Sequence, residues 1–341
     1  MTVVQRATAL RGGIVAALAA AAPGASHAHH SPAAYDMTTE VVVDGTIAEV
    51  SWRNPHIYLT VATAGADGEL VLQEIEAASI ASLQPYGLAR DTLPIGRAVS
   101  VRGHPGRRPG SEMLGLDLTT EDGVVYRLHP RGRGAVQAAT VQASGLAGQW
   151  LPPPSTFLGF LDAVNAAALT EAARVARGDV AGLAEAQASC AGYFPPPQLM
   201  VASYIHTIEV MDEAVVIRVD GVPGERTVHL DGRPLDPDAE PAPFGHSVGR
   251  MEGGALVIES AGFALHGEGV GFGVPSGPDK RLLERLSLSE DRRQIIYEAT
   301  VTDPDYLEAP LTYSAVWDHR PDAEPSDEPC DEETARRFLE E

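Results

Sequence analysis

Two adjacent histidines, His29 and His30, precede Ser31 near the start of the chain. If the chain is cut after Ala28, His29 becomes the first residue, and its free amine and imidazole form a two-nitrogen chelate. A third imidazole completes a T-shaped nitrogen set, and tetragonal nitrogen ligation suits Cu(II). His30 can supply that ligand, and so can His56, which follows Asn54-Pro55 at a strand end where a rigid scaffold can hold it. The candidate metal ligands are therefore His29, His30 and His56, with copper as the expected cofactor. The bland alternative is a solvated terminus and a surface strand histidine.

The cut itself is written in the preceding segment. Arg6 and Arg11 give a positive start, 13–22 is small and apolar, and Ser26 and Ala28 put small residues at the −3 and −1 positions. That is the layout of a secretory signal over 1–28, which places the mature protein in the periplasm or outside the cell. The apolar run is too short for a membrane span, and no later run is long enough. Removing 1–28 takes away two arginines and no acid, so the net charge moves from −22 to −24. Such a chain repels nucleic acid and anionic membranes. Cys190 and Cys330 show no thiolate metal spacing, and in an oxidising compartment two distant cysteines pair as one disulfide.

A second chemical pattern is Gly245-His246-Ser247-Val248-Gly249, which matches GxSxG. Asp303 and His319 follow in the order of an α/β-hydrolase triad. That motif requires a strand, a sharp turn and a helix, whereas Gly253-Gly254 and another strand pattern follow here. The hydrolase reading is therefore the weakest of the enzymatic ones. The 267–273 stretch, GEGVGFG, lacks the strand–loop–helix of a dinucleotide site and reads as a loop.

The elements that must position these residues are mainly strands. In 29–130, strands are expected at 41–52, with a kink at Gly45, and at 56–62 and 70–76. A short helix at 79–86, capped by Ser79, comes next, then strands at 98–103, 113–118 and 124–128. Three strands, a plugging helix and further strands is the order of an OB-type barrel. Residues 131–143 read as a linker. The second domain, 144–323, opens with Gly148-Gln149-Trp150, similar to the mouth of lipocalin-like barrels, where the tryptophan plugs one end. Helices are expected in an insertion at 157–189, as 158–177 and 180–188 broken at Gly178-Asp179. Strands are then expected at 201–211, 214–219, 225–230, 246–251, 255–260, 283–289, 294–302 and 311–318. Turns at Asp220-Gly221, Asp231-Gly232 and Gly253-Gly254 separate them, which favours an up-and-down antiparallel barrel. Residues 324–341 form an acidic tail.

A closed barrel with a helical cover is a common small-molecule container. Trp150, Arg218, His246, Arg250, Glu284 and Arg285 are the candidates to line it around a small apolar ligand. Strand parity alone leaves open which of them point inward.

Several motifs together resemble a family of exported bacterial proteins whose mature forms begin His-His-Ser. In that family a Tyr-Asp pair and an Asn-Pro-His junction follow, here Tyr35-Asp36 and Asn54-Pro55-His56. The second half resembles a region often fused to it, through 245–250 and Thr302-Asp303-Pro304. It departs from that pattern at 251–254, where Met-Glu-Gly-Gly stands in place of Trp-Glu-Gly-Asp. The terminus is also similar to the histidine brace of exported lytic copper oxygenases. The resemblance implies an exported, mainly β protein and no particular reaction. The expectation is an exported binding protein with a copper site and a barrel cavity. The alternative is an enzyme acting through copper or in that cavity.

Overall fold

A computed structural model describes residues 34–65, 68–108, 110, 112–134, 139–177, 194–236, 238–326, 328–329, 331 and 333–334. His29, His30, Cys190, Cys330, the signal segment and the expected helix at 180–188 lie outside the described residues. The fold is mainly β: a small five-strand barrel followed by a nine-strand barrel.

In the first barrel, β1 (Val41–Ser51) lies between β2 (Tyr58–Ala64) and β4 (Ala98–His104). β3 (Leu70–Glu76) pairs with β2, and β5 (Met113–Thr120) pairs with β4. A short parallel pairing, Ile75 with Met113 and Glu76 with Leu114, closes the ring. This is the OB topology. β6 (Val125–Arg127) adds to β5, and the unit continues past 130, because the Arg133 amide donates to Asp117. β1 serves two neighbours by bending. A Cβ at Gly45 would come within 2.3 Å of the Ala62 carbonyl oxygen, so glycine is what lets β2 cross there. α1 (Ile80–Leu83) is capped by Ser79, whose side chain accepts from the Ser82 amide. It seals the barrel with Ile80 and Leu83 against Ile57, Leu59 and Ile75.

The second barrel opens with β7 (Gly148–Leu151). Gly148 sits at φ 136°, a conformation that favours glycine, and this delivers Trp150 to the interior. There Trp150 is fully buried, its Nε1 donates to the Leu146 carbonyl at 2.8 Å, and its ring lies 4.8 Å from that of His319. The ring runs from β7 through β8 (His206–Val210), β9 (Ala214–Val219), β10 (Arg226–His229), β11 (His246–Glu252) and β12 (Ala255–Ala261). It returns through β13 (Arg281–Leu288), β14 (Gln294–Thr302) and β15 (Leu311–His319) to β7. Every seam is antiparallel except β10–β11, where the long 230–245 connection lets Val228 and Ser247 pair in parallel.

Local details depart from the sequence expectation. The first helix, α2 (Pro154–Ala166), starts four residues before the expected 158 because Pro154 occupies its first turn, where a missing amide hydrogen costs nothing. Its break falls at 167–170, before α3 (Glu171–Arg177), where Leu169 makes a bridge to Leu307. The strand expected from 201 begins at His206, since α4 (Gln198–Val201) occupies the earlier residues. The linker packs on the second barrel from Val141, whose carbonyl lies 2.9 Å from His319 Nδ1. Among the described residues, no helix is long and apolar enough to cross a membrane.

Candidate functional site

Alternation along β2, β3 and β5 sends Leu59, Ile75 and Met113 into the core of the first barrel and turns Tyr58, Glu76 and Leu114 to the outer face. His104 of β4 pairs with Leu114, so Tyr58, Glu76, Leu114 and His104 form one rung across four strands. All four are buried although they face outward, because the chain around Tyr35 folds over them. Tyr35 bridges to Gly106, and its hydroxyl donates to Glu76 Oε2 at 2.6 Å, with Glu112 Oε1 at 3.2 Å. Burial first, and then the two carboxylates, push the Tyr35 phenol far above its ordinary value, so at neutral pH it keeps its proton.

The other oxygen of Glu76 faces His56. His56 Nδ1 lies 3.2 Å from Glu76 Oε1 and 3.1 Å from the Ala77 carbonyl oxygen. Neither partner donates, so Nδ1 carries a proton in this contact. His104 has the same arrangement, with Nδ1 2.8 Å from the Thr39 carbonyl oxygen. An imidazole that donates one nitrogen to a carbonyl or carboxylate presents the other as a metal ligand or proton acceptor. His129 is set the opposite way, since its Nδ1 accepts from the Arg131 amide at 3.2 Å. Burial first, then the positive charge of Arg131, hold His129 down to about 3, so it stays neutral. Among the described residues, no three His, Cys, Asp or Glu side chains converge in metal-ligating geometry.

Of the expected metal ligands, His56 shares Glu76 with Tyr35, on the rung that also carries His104, whereas His29 and His30 lie outside the described residues. Asp36, beside Tyr35, caps the following turn through Thr38 and Thr39. Sequence reading missed Glu76, His104 and His129. They lie far apart along the chain, and barrel closure is what puts Glu76 and His104 on one rung.

The barrel candidates separate cleanly. Trp150 and Glu284 point inward. Arg218, Arg250 and Arg285 point outward, contrary to a lining role, and pair with Glu209 and Glu225, with Glu252 and Glu259, and with Glu252 respectively. His246 sits half-buried at the rim, with Nε2 2.7 Å from the Glu240 carbonyl oxygen. Parity along β13 is the cause, since Leu282, Glu284 and Leu286 are buried between exposed neighbours. Inside, Glu284 accepts from Arg226 Nη1 at 3.0 Å and from the Tyr297 hydroxyl at 2.9 Å, while Arg226 also donates to Ser247 and Ser260. Ser247 is buried within strand β11, with no helix after it and with an arginine and a serine on its hydroxyl. Asp303 accepts from the Gly277, Asp305 and Tyr306 amides, and the His319 ring packs at a tilt of 44° against Trp150. The three residues of the GxSxG reading serve three separate structural contacts. Trp150, Tyr297, Trp317 and Phe160 fill the interior with a large core.

Residues 16–115 match the model of a family of unknown function, DUF6152. The match takes in β1 to β4 and the start of β5, and with them Tyr35, His56, Glu76, His104 and Glu112; His129 lies beyond it. No curated protein matches the chain, and no solved structure does.

Proposed function

We propose that this chain is an exported copper-binding protein, processed after Ala28, in which the amine and imidazole of His29 and the imidazole of His30 are joined by His56. The observation that carries the reading is the double engagement of Glu76. One oxygen anchors Tyr35, five residues after His30, and the other fixes His56. Five residues of extended chain reach at most about 18 Å, so an anchor at Tyr35 keeps the terminal histidines within range of His56. The Nδ1–H of His56, held by Ala77 and Glu76, favours ligation through Nε2. An amine and imidazole donor set suits Cu(II) more than hard oxygen-seeking cations. His104, set the same way, is the nearby alternative imidazole. The large apolar core of the second barrel supports a scaffold role for that domain.

The test is a Cu(II) titration of exported protein whose first residue has been fixed by intact mass. Sub-micromolar binding is expected, weakened on the order of tenfold or more by His56→Ala, and weakened likewise by one extra residue ahead of His29. No binding at micromolar copper, or affinity indifferent to both changes, contradicts the proposal.

A further inference from the structure

After β15 the chain leaves the second barrel and runs back across the first. Its root is fixed where the Arg320 amide donates to the Gln149 carbonyl at 2.9 Å. The Ser326 amide then donates to both oxygens of Asp220, each at 3.0 Å, at the end of β9. From there the strap reaches Asn54. The Glu328 carbonyl accepts from Asn54 Nδ2 at 2.8 Å, and the Asp331 amide donates to the Asn54 carbonyl at 2.9 Å. Asp331 also caps the next turn by accepting from the Thr334 amide at 2.8 Å.

Asn54 is buried, and its remaining side-chain oxygen accepts from the Ile80 amide at 3.1 Å. One residue is therefore held from inside by α1 and from outside by the strap, two positions before His56. The ion pairs that accompany the strap, Arg53 with Asp331 and Arg90 with Glu328, are each 3.4 Å apart and largely exposed. Exposed pairs of this kind contribute little, so the grip resides in the sheltered hydrogen bonds to Asn54.

We propose that the C-terminal strap is a positioning device, through which the second barrel holds the Asn54–His56 turn of the first barrel in its ligand-presenting conformation. Its effect on the backbone stands by itself, and only its effect on copper rests on the function proposed above. The strap gives the filled second barrel a task, as the fixed point from which the turn is clamped.

Amide hydrogen exchange on the metal-free, full-length protein tests this, with copper titration run in parallel. Asp220→Ala removes the strap's anchor on the second barrel, remote from His56. Ser326→Pro removes the donating amide and serves if the first variant does not fold. Both are expected to speed exchange at Ile80 by about tenfold, the effect of losing one sheltered hydrogen bond, with Leu286 and Tyr297 still protected. Copper affinity is expected to fall several-fold in both. Arg233→Ala, which breaks an exposed pair with Asp231 away from the strap, is expected to change neither.

Faster exchange at Ser326 and Asp331 with Ile80 unmoved overturns the proposal. Faster exchange at Ile80 with unchanged copper affinity overturns the coupling to the site. If the wild type binds no copper while Ile80 responds as expected, the strap stands and the copper reading fails.

Discussion

Lys280 places an ammonium group where water does not reach. It donates to the Pro196 and Gly269 carbonyls, and its Nζ lies 4.0 Å from the centre of the Phe263 ring. Burial dominates, against the favourable charges of Asp303 and Glu284, and lowers the amine from its ordinary 10.5 to about 7. In the window between these values the unfolded chain binds more protons than the folded one. Stability from this residue therefore rises with pH from about 7 to 10.5 and is flat below. Urea unfolding at pH 7 and 9 should show wild type gaining on Lys280→Met by up to about 1.4 kcal/mol per pH unit. A difference between the two that does not vary with pH contradicts the assignment. Arg226 and Glu284 solve the same problem differently, as a buried pair whose remaining donors and acceptors are met by Ser247, Ser260 and Tyr297.

At the scale of elements, Gly45 shows how a single position can decide a barrel. With the Ala62 carbonyl only 2.3 Å from a built Cβ, Gly45→Ala forces β1 and β2 apart. The expected loss is about 1–3 kcal/mol, measured by denaturation, and an unchanged midpoint would show that the strands have slack. Most strands were legible because alternating residues bounded by glycine turns leave few other readings. β9 and β14 coincide with their expected spans, and Trp150 plugs the second barrel as its glycine neighbour implied. Helix limits were less legible, since Pro154 at a first turn and the tertiary bridge of Leu169 lie beyond periodicity. The parallel β10–β11 seam was hidden as well, because a crossover of that length carries no local sign of its partner. For the site, the junction before His56 could be read locally. Glu76 and His104 could not, because closure of β3 on β5 is what puts their strands on one rung.

The whole molecule joins two barrels of different character. The first carries buried polar groups on its outer face, and the second holds a large apolar core and sends a strap back to the first. The junction is itself polar: Arg320 Nη2 reaches the Pro85 carbonyl at 3.3 Å. A net charge of −22 raises the local concentration of cations around such a protein, which favours capture of a metal ion over binding of an anionic polymer. The central claim is that copper is held by the processed terminus together with His56. Electron paramagnetic resonance of the Cu(II) complex tests it most directly. The account predicts an axial spectrum with nitrogen hyperfine structure from an all-nitrogen equatorial set, losing one nitrogen in His56→Ala. An oxygen-ligated spectrum, or the same nitrogen pattern in both proteins, would contradict it.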